Sequence, residues 1–166
     1  MHTQPALFET NTRSARLSTD RLYRYELWRR WSDGDRYVNF ICLNPSTADE
    51  HADDPTTRKC VKFAKTWGYD ALCITNLFAF RSTDKKVMMA DADPVGWGNN
   101  RHLLRVANDA SLIVAAWSRD GVHQHRSAAV KHLLRFCRLH YLRLTLNEPW
   151  HPLYLPDQTR PTLWKF

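Results

Sequence analysis

Residues 37–46, Tyr-Val-Asn-Phe-Ile-Cys-Leu-Asn-Pro-Ser, form an apolar, β-branched and aromatic run that stops at Asn44-Pro45-Ser46. A run this short and this apolar suits a strand buried on both faces, and ligands of open α/β sheets bind outside the carboxyl ends of such strands. Pro45 has no N–H and cannot continue a central ladder. Asn44, the first polar side chain at that end, marks the expected site. Asn-Pro also initiates ordinary turns, so a strand that merely ends there remains the competing reading.

Upstream, residues 22–31 (Leu-Tyr-Arg-Tyr-Glu-Leu-Trp-Arg-Arg-Trp) alternate apolar with charged side chains, and Ser32-Asp33-Gly34-Asp35 supplies a turn. This predicts a β-hairpin whose first strand lies antiparallel beside the 37–46 strand. Residues 1–20 are polar and aperiodic, an expected flexible arm, leaving residues 21–166 as a single α/β domain. Downstream, an acidic loop (49–54) leads to Pro55, which suits the first turn of a helix capped by Asp54, running to about Trp67 and ended by Gly68. Cys60, Val61, Ala64 and Trp67 make its apolar stripe.

Residues 71–77 predict a second buried strand ending near Asn76, so strand, helix and strand form a βαβ unit. The loop at 78–84 then falls at the same sheet end as Asn44, which brings Asn44, Asn76 and Arg81 together. An irregular stretch (85–98) and a helix at 99–108 precede a third parallel strand at 111–117. A helix over 124–139 is expected to turn Ala128, Ala129, Leu133, Leu134, Phe136 and Cys137 inward, with its basic residues in water. A fourth strand at 141–146 leads to a Pro-punctuated loop that carries His151 to the same face.

A chain of 166 residues can bury about 70 % of its unfolded surface in one domain. The 43 % hydrophobic content and seven Trp supply a core. No apolar stretch is long enough to span a membrane, and residues 1–20 hold no charged-then-apolar leader, so a cytoplasmic protein is expected. Cys42, Cys60, Cys73 and Cys137 lie far apart and read as reduced thiols. His123, His125 and His132 lack nearby carboxylate or Cys partners, and no metal is expected. The +7 charge favours an anionic partner, nucleic acid being the commonest.

Five glycines, without a Gly-x-Gly-x-x-Gly, Walker or Gly-x-Ser-x-Gly pattern, argue against a Rossmann cofactor, a P-loop site or a hydrolase elbow, so no cofactor is expected. The strand ends offer Asn44, Ser46, Thr47, Asn76, Arg81 and His151 instead. Amides, hydroxyls, a cation and an imidazole suit a flat polar ring and developing negative charge, which is electrostatic rather than nucleophilic catalysis.

Leu43-Asn44-Pro45-Ser46-Thr47-Ala48, Asp53-Asp54-Pro55-Thr56, Trp67-Gly68-Tyr69, residues 75–81, Asp93-Pro94-Val95-Gly96 and residues 151–155 together resemble a bacterial and phage family of unknown function with an LNPSTA motif, over about residues 22–160. That family usually has Gly where this chain has Ser118. More remotely, it is similar to the uracil-DNA glycosylase superfamily. The resemblance implies a three-layer α/β/α sandwich with a mainly parallel central sheet. It implies that Asn44 positions the attacking water, that Asn76 reads a pyrimidine edge, and that His151 supports the anionic leaving base. Pro45, Ser46, Thr47, Phe78, Arg81, Leu153 and Tyr154 would complete substrate binding. Leu153 or Tyr154 would wedge into the duplex, and Tyr154 or Phe78 would stack on the base, because residues 45–62 contain no aromatic.

The function expected on these grounds is a DNA glycosylase-like enzyme that attacks the N-glycosidic bond of a mismatched or modified base with water. The alternatives are a non-catalytic nucleic-acid-binding module and an enzyme acting on a free nucleotide or nucleoside, both on the same fold. The expected partner is thus DNA or a nucleotide-like ligand, with no membrane.

Overall fold

The computed structural model describes residues 11–166. Its centre is β3 (Tyr37–Cys42), buried along its whole length. Side chains alternate across a strand, so β3 serves two cores. Val38, Phe40 and Cys42 pack with Cys60, Phe63 and Ala64 of α1 (Pro55–Thr66), while Ile41 packs with Leu103 and Ala107 of α3 (Asn99–Asp109) and Val130 of α4 (Arg126–Leu133). Helices therefore cover both faces of the sheet, as the apolar run required.

The sheet has seven strands in the order β1-β2-β4-β3-β5-β6-β9. β4 (Ala71–Asn76), β3, β5 (Leu112–Ala115) and β6 (Leu139–Tyr141) run parallel. The flanking pairs, made by β1 (Thr12–Leu17), β2 (Arg24–Arg30) and β9 (Thr162–Leu163), are antiparallel. The expected βαβ unit is β3-α1-β4. The chain leaves β3 toward β4 on one side and later leaves β5 toward β6 on the other. The switch point therefore lies between the carboxyl ends of β3 and β5, where open α/β sheets hold their ligands.

Several expectations need correction. The hairpin is β1 with β2, not β2 with β3, because β4 takes the position beside β3 and β2 pairs with the outer edge of β4. Residues 12–17 of the expected arm are strand β1, and residues 1–10 lie outside the described residues. Residues 85–90 form the short helix α2 (Lys85–Ala90), capped by Asp84. The expected 124–139 helix is only α4, preceded by a 3-10 segment, because Gln124 and His125 adopt φ of +51° and +53°. Val130 and Leu134 face inward, while Ala128, Ala129 and Phe136 are exposed. Arg126 is buried and donates to the Leu77 carbonyl (2.7 Å) and to Asn100 Oδ1 (2.6 Å), so it does not lie on a wet face. The fourth parallel strand starts earlier than expected. After it, β7 (Leu144–Thr145) and β8 (Glu148–Pro149) form a tight hairpin through Leu146 and Asn147, both at positive φ.

The expected helix start is found as read. Asp54 accepts the Thr57 N–H (2.7 Å), Pro55 opens the first turn, and Gly68 at φ +85° follows the last. Cys42, Cys60 and Cys73 are buried and Cys137 is half-buried. Among the described residues, no helix is long and apolar enough to cross a membrane.

Charge is also buried in β2. Glu26 is fully buried against Arg105, His102 (2.6 Å) and the Trp28 indole N–H (2.7 Å). Burial alone would push this carboxyl up, but the hydrogen bonds from His102, Trp28 and Arg105 outweigh it and hold the pKa at about 2. A depressed carboxyl stabilises the fold above its unfolded pKa, and that contribution is lost as pH falls toward the folded value. Urea unfolding across pH 7 to 2 is therefore expected to show stability falling below about pH 4.5, with a flatter profile in Glu26→Gln. An equally steep profile in the variant would assign the acid sensitivity to other carboxylates.

Candidate active site

The carboxyl ends of β3, β4 and β5 open into a cleft of about 770 Å³, within the range of small-molecule sites. Asn44, Ser46, Asn76, His151, Leu153 and Tyr154 all line it. These six residues come from three separate parts of the chain, and the sheet topology brings them together.

The Asn44 side chain is oriented by its donors. Nδ2 donates to the carbonyls of Ser82 (3.0 Å) and Pro45 (3.1 Å). Oδ1 receives no donor among the described residues, which leaves it as an acceptor for a ligand or a water. Asn76 is set the opposite way. Its Oδ1 faces Arg24 Nη2 (3.5 Å), and its Nδ2 has no partner among the described residues. Asn99, in the first turn of α3, donates to the backbone carbonyls of Asn76 (3.0 Å) and Leu77 (3.1 Å) and so holds the end of β4.

His151 stands between the β8 hairpin and α1. Its Nδ1 accepts the Leu153 N–H (3.2 Å), so the neutral ring carries its proton on Nε2, 3.4 Å from Thr56 Oγ1. Burial pushes its pKa below the usual 6.5, with Asp54 opposing. Tyr154 is 79 % exposed, and its ring lies 6.2 Å from the imidazole.

Six charged residues line the cleft, none of them placed there by the sequence reading, and two of them, Arg24 and Asp54, are buried. Arg24 is only 3 % exposed; it donates to the Ala48 carbonyl (2.7 Å), and its Nε is unpaired. No carboxylate among the described residues forms an ion pair with it. Burial pushes its pKa down to about 10, with Asp54 opposing, so it stays cationic at neutral pH. In sequence it is one of several charged residues in an alternating run, and only the pairing of β2 with β4 turns it inward. Asp54 was legible as a helix cap but not as a cleft carboxylate. One of its oxygens binds Thr57 N–H, and the other has no donor among the described residues.

Four expected residues lie elsewhere. Phe78 is fully buried against His123 and cannot stack on a ligand, because the chain beyond Asn76 turns into the core under α3 and α4. Arg81 does not line the cleft and donates to the Arg21 carbonyl (3.2 Å); the cations that line it are Arg24, Lys85 and Arg119. Pro45 is buried, and its carbonyl ties Asn44 and the Ser82 N–H together. Thr47 is exposed outside the cleft wall. The acidic loop is clamped to the β1-β2 hairpin, with Asp53 bound by Arg29 (2.8 Å) and Arg13 (2.7 Å) and Glu50 by Arg21 (3.1 Å).

The far wall is fixed by a buried carboxylate. Glu148 accepts from the Trp117 indole and from Ser127 Oγ (2.9 Å), and the Ser118 N–H bonds the Pro149 carbonyl (2.8 Å). These bonds tie the β8 hairpin to the end of β5 and carry Trp150 and His151 to the cleft. Among the described residues, no group of three His, Cys, Asp or Glu side chains could hold a metal ion.

The imidazole makes a direct test. Long-range proton–nitrogen NMR spectra are expected to show His151 neutral at pH 7, protonated on Nε2, with a midpoint below 6.5. A proton on Nδ1 would refute the assignment.

A family model described as "Protein of unknown function (DUF1643)" matches residues 24–153. No curated protein and no solved structure matches the chain.

Proposed function

The chain belongs to the DUF1643 family, and we propose that it is a glycosylase-like hydrolase that breaks the N-glycosidic bond of a mismatched or modified base in DNA. One observation carries this reading. A single cleft presents an amide acceptor (Asn44 Oδ1), an amide donor (Asn76 Nδ2) and a neutral imidazole N–H donor (His151 Nε2), none of them spent on a strong protein hydrogen bond. Donors and acceptors of this kind match the edge of a nucleobase lifted out of the stack.

In the proposed reaction the bond from the sugar C1′ to the base nitrogen breaks, and its electron pair leaves with the base. Water forms the new bond to C1′ and releases a proton. Asn44 Oδ1 aligns that water, and Asp54 is the cleft carboxylate able to take the proton. The base gains negative charge as it leaves, and the His151 N–H and the buried Arg24 cation favour that charge most where it is greatest, in the transition state. Tyr154, exposed at the mouth, is the aromatic available to stack or wedge.

A second reading, action on a free nucleotide or nucleoside, has its own support. The cations lining the cleft, Arg24, Lys85 and Arg119, are matched by Asp54, Asp84 and Asp120, and Lys85 and Asp120 pair at 2.5 Å. A charge-balanced cleft is a weak track for a phosphate backbone.

The test is a single-turnover assay on labelled oligonucleotides, each carrying one uracil, mismatch or modified pyrimidine, scored for alkali-labile abasic sites. The expected result is strand breaks at one base type, reduced about 100- to 1000-fold in Asn44→Ala, with the variant's circular dichroism unchanged. Full activity in that variant removes Asn44 from the mechanism. Breaks on no substrate, with turnover of a free nucleoside, replace the DNA reading with the second.

A further inference from the structure

Ser118 stands at the carboxyl end of β5, directly across the switch point from Asn44, and it lines the cleft. Its backbone has φ +67° and ψ 179°. That region is essentially reserved for glycine, because a Cβ there crowds the backbone, and such residues persist only where the surroundings over-determine them. The surroundings do so here. The Ser118 N–H is held by the Pro149 carbonyl (2.8 Å), and the preceding Trp117 is fully buried with its indole bonded to Glu148. Gly121 follows so closely that a Cβ on it would stand 2.3 Å from the Trp117 ring.

The backbone therefore asks for glycine at 118, and the chain places a hydroxyl there. That hydroxyl does nothing for the fold: Ser118 Oγ makes no hydrogen bond among the described residues and caps no helix. Its one evident surrounding is the cleft.

We propose that Ser118 is a ligand-binding residue whose hydroxyl hydrogen-bonds the polar edge of the bound base, opposite Asn44 and Asn76. The inference rests on the nucleobase reading above and adds an affinity group to it. Asn76 and His151, as fixed donors, favour a ring edge that presents oxygens, and the Ser118 hydroxyl, which can donate or accept, adds a further hydrogen bond that tightens binding of that ring.

The test separates strain from recognition. Wild type, Ser118→Gly and Ser118→Ala are compared by thermal unfolding and by NMR titration with free uracil, thymine and cytosine. Glycine relieves the backbone, and its Tm is expected to rise by about 3–8 °C; alanine keeps the strain and melts near wild type. Both variants lose the hydroxyl and are expected to bind the preferred base about tenfold more weakly. A glycine variant that is no more stable than wild type overturns the premise of strain. Variants that bind that base as well as wild type overturn the inference alone. If none of the three bases perturbs the wild-type cleft, the nucleobase reading falls and the inference falls with it.

Discussion

Strands β3, β4 and β5 are buried on both faces, and of their side chains only Cys42, Ile74 and Asn76, toward the carboxyl ends of β3 and β4, line the cleft. That constraint organises the rest of the molecule. Chemistry can appear only where the strands end, and the order β4-β3-β5 makes the chain leave β3 and β5 in opposite directions there. A cleft opens because no crossover helix can cover both departures. Asn44, Asn76 and Ser118 are polar residues at the ends of three adjacent strands, and their convergence follows from parallel register.

The second organising feature is buried charge with assigned partners. Glu26, Arg29, Arg126 and Glu148 are each buried, and each has its hydrogen bonds met by neighbours distant in sequence. An unpaired charge in such positions would be costly, so these contacts specify how the elements dock. Glu148 sets the far wall of the cleft, and Arg29 holds the acidic loop against the hairpin. Arg24 is the exception. Like Arg126 it is buried and forms no ion pair among the described residues, but of these five residues it alone keeps an N–H unsatisfied. A buried cation with an unsatisfied N–H in a cleft wall suits a site where negative charge arrives or develops.

The net charge of +7 has a different distribution from the one that a basic binding groove would produce. Residues 119–166 hold eight Lys and Arg against three carboxylates. Several of these cations lie over aromatic rings, Arg143 over Trp150 at 4.3 Å and Arg135 over Phe136 at 4.6 Å among them. Only Trp150 of these lines the cleft, whose own charges balance. The charge that composition reports and the electrostatics of the cleft are thus separate properties of the molecule.

By itself the sequence determined the buried parallel strands, the Asp54 cap with Pro55 and Gly68, and the polar strand ends at Asn44 and Asn76. Each of these is local: an apolar run, a cap and a terminal amide lie within a few residues of one another, and short-range sterics and hydrogen bonding decide them. Phe78 and Arg81 were misjudged because proximity in sequence to a site residue says nothing about which way the chain turns next. Arg24, Asp54 as a cleft carboxylate, and Ser118 in its glycine-like conformation were decided only by tertiary structure. Arg24 faces the cleft because β2 pairs with β4, and Ser118 keeps its backbone because Pro149 and Glu148, about thirty residues away, hold it. Such contacts depend on which strand lies beside which, and that order is a property of the whole chain's packing rather than of any window within it.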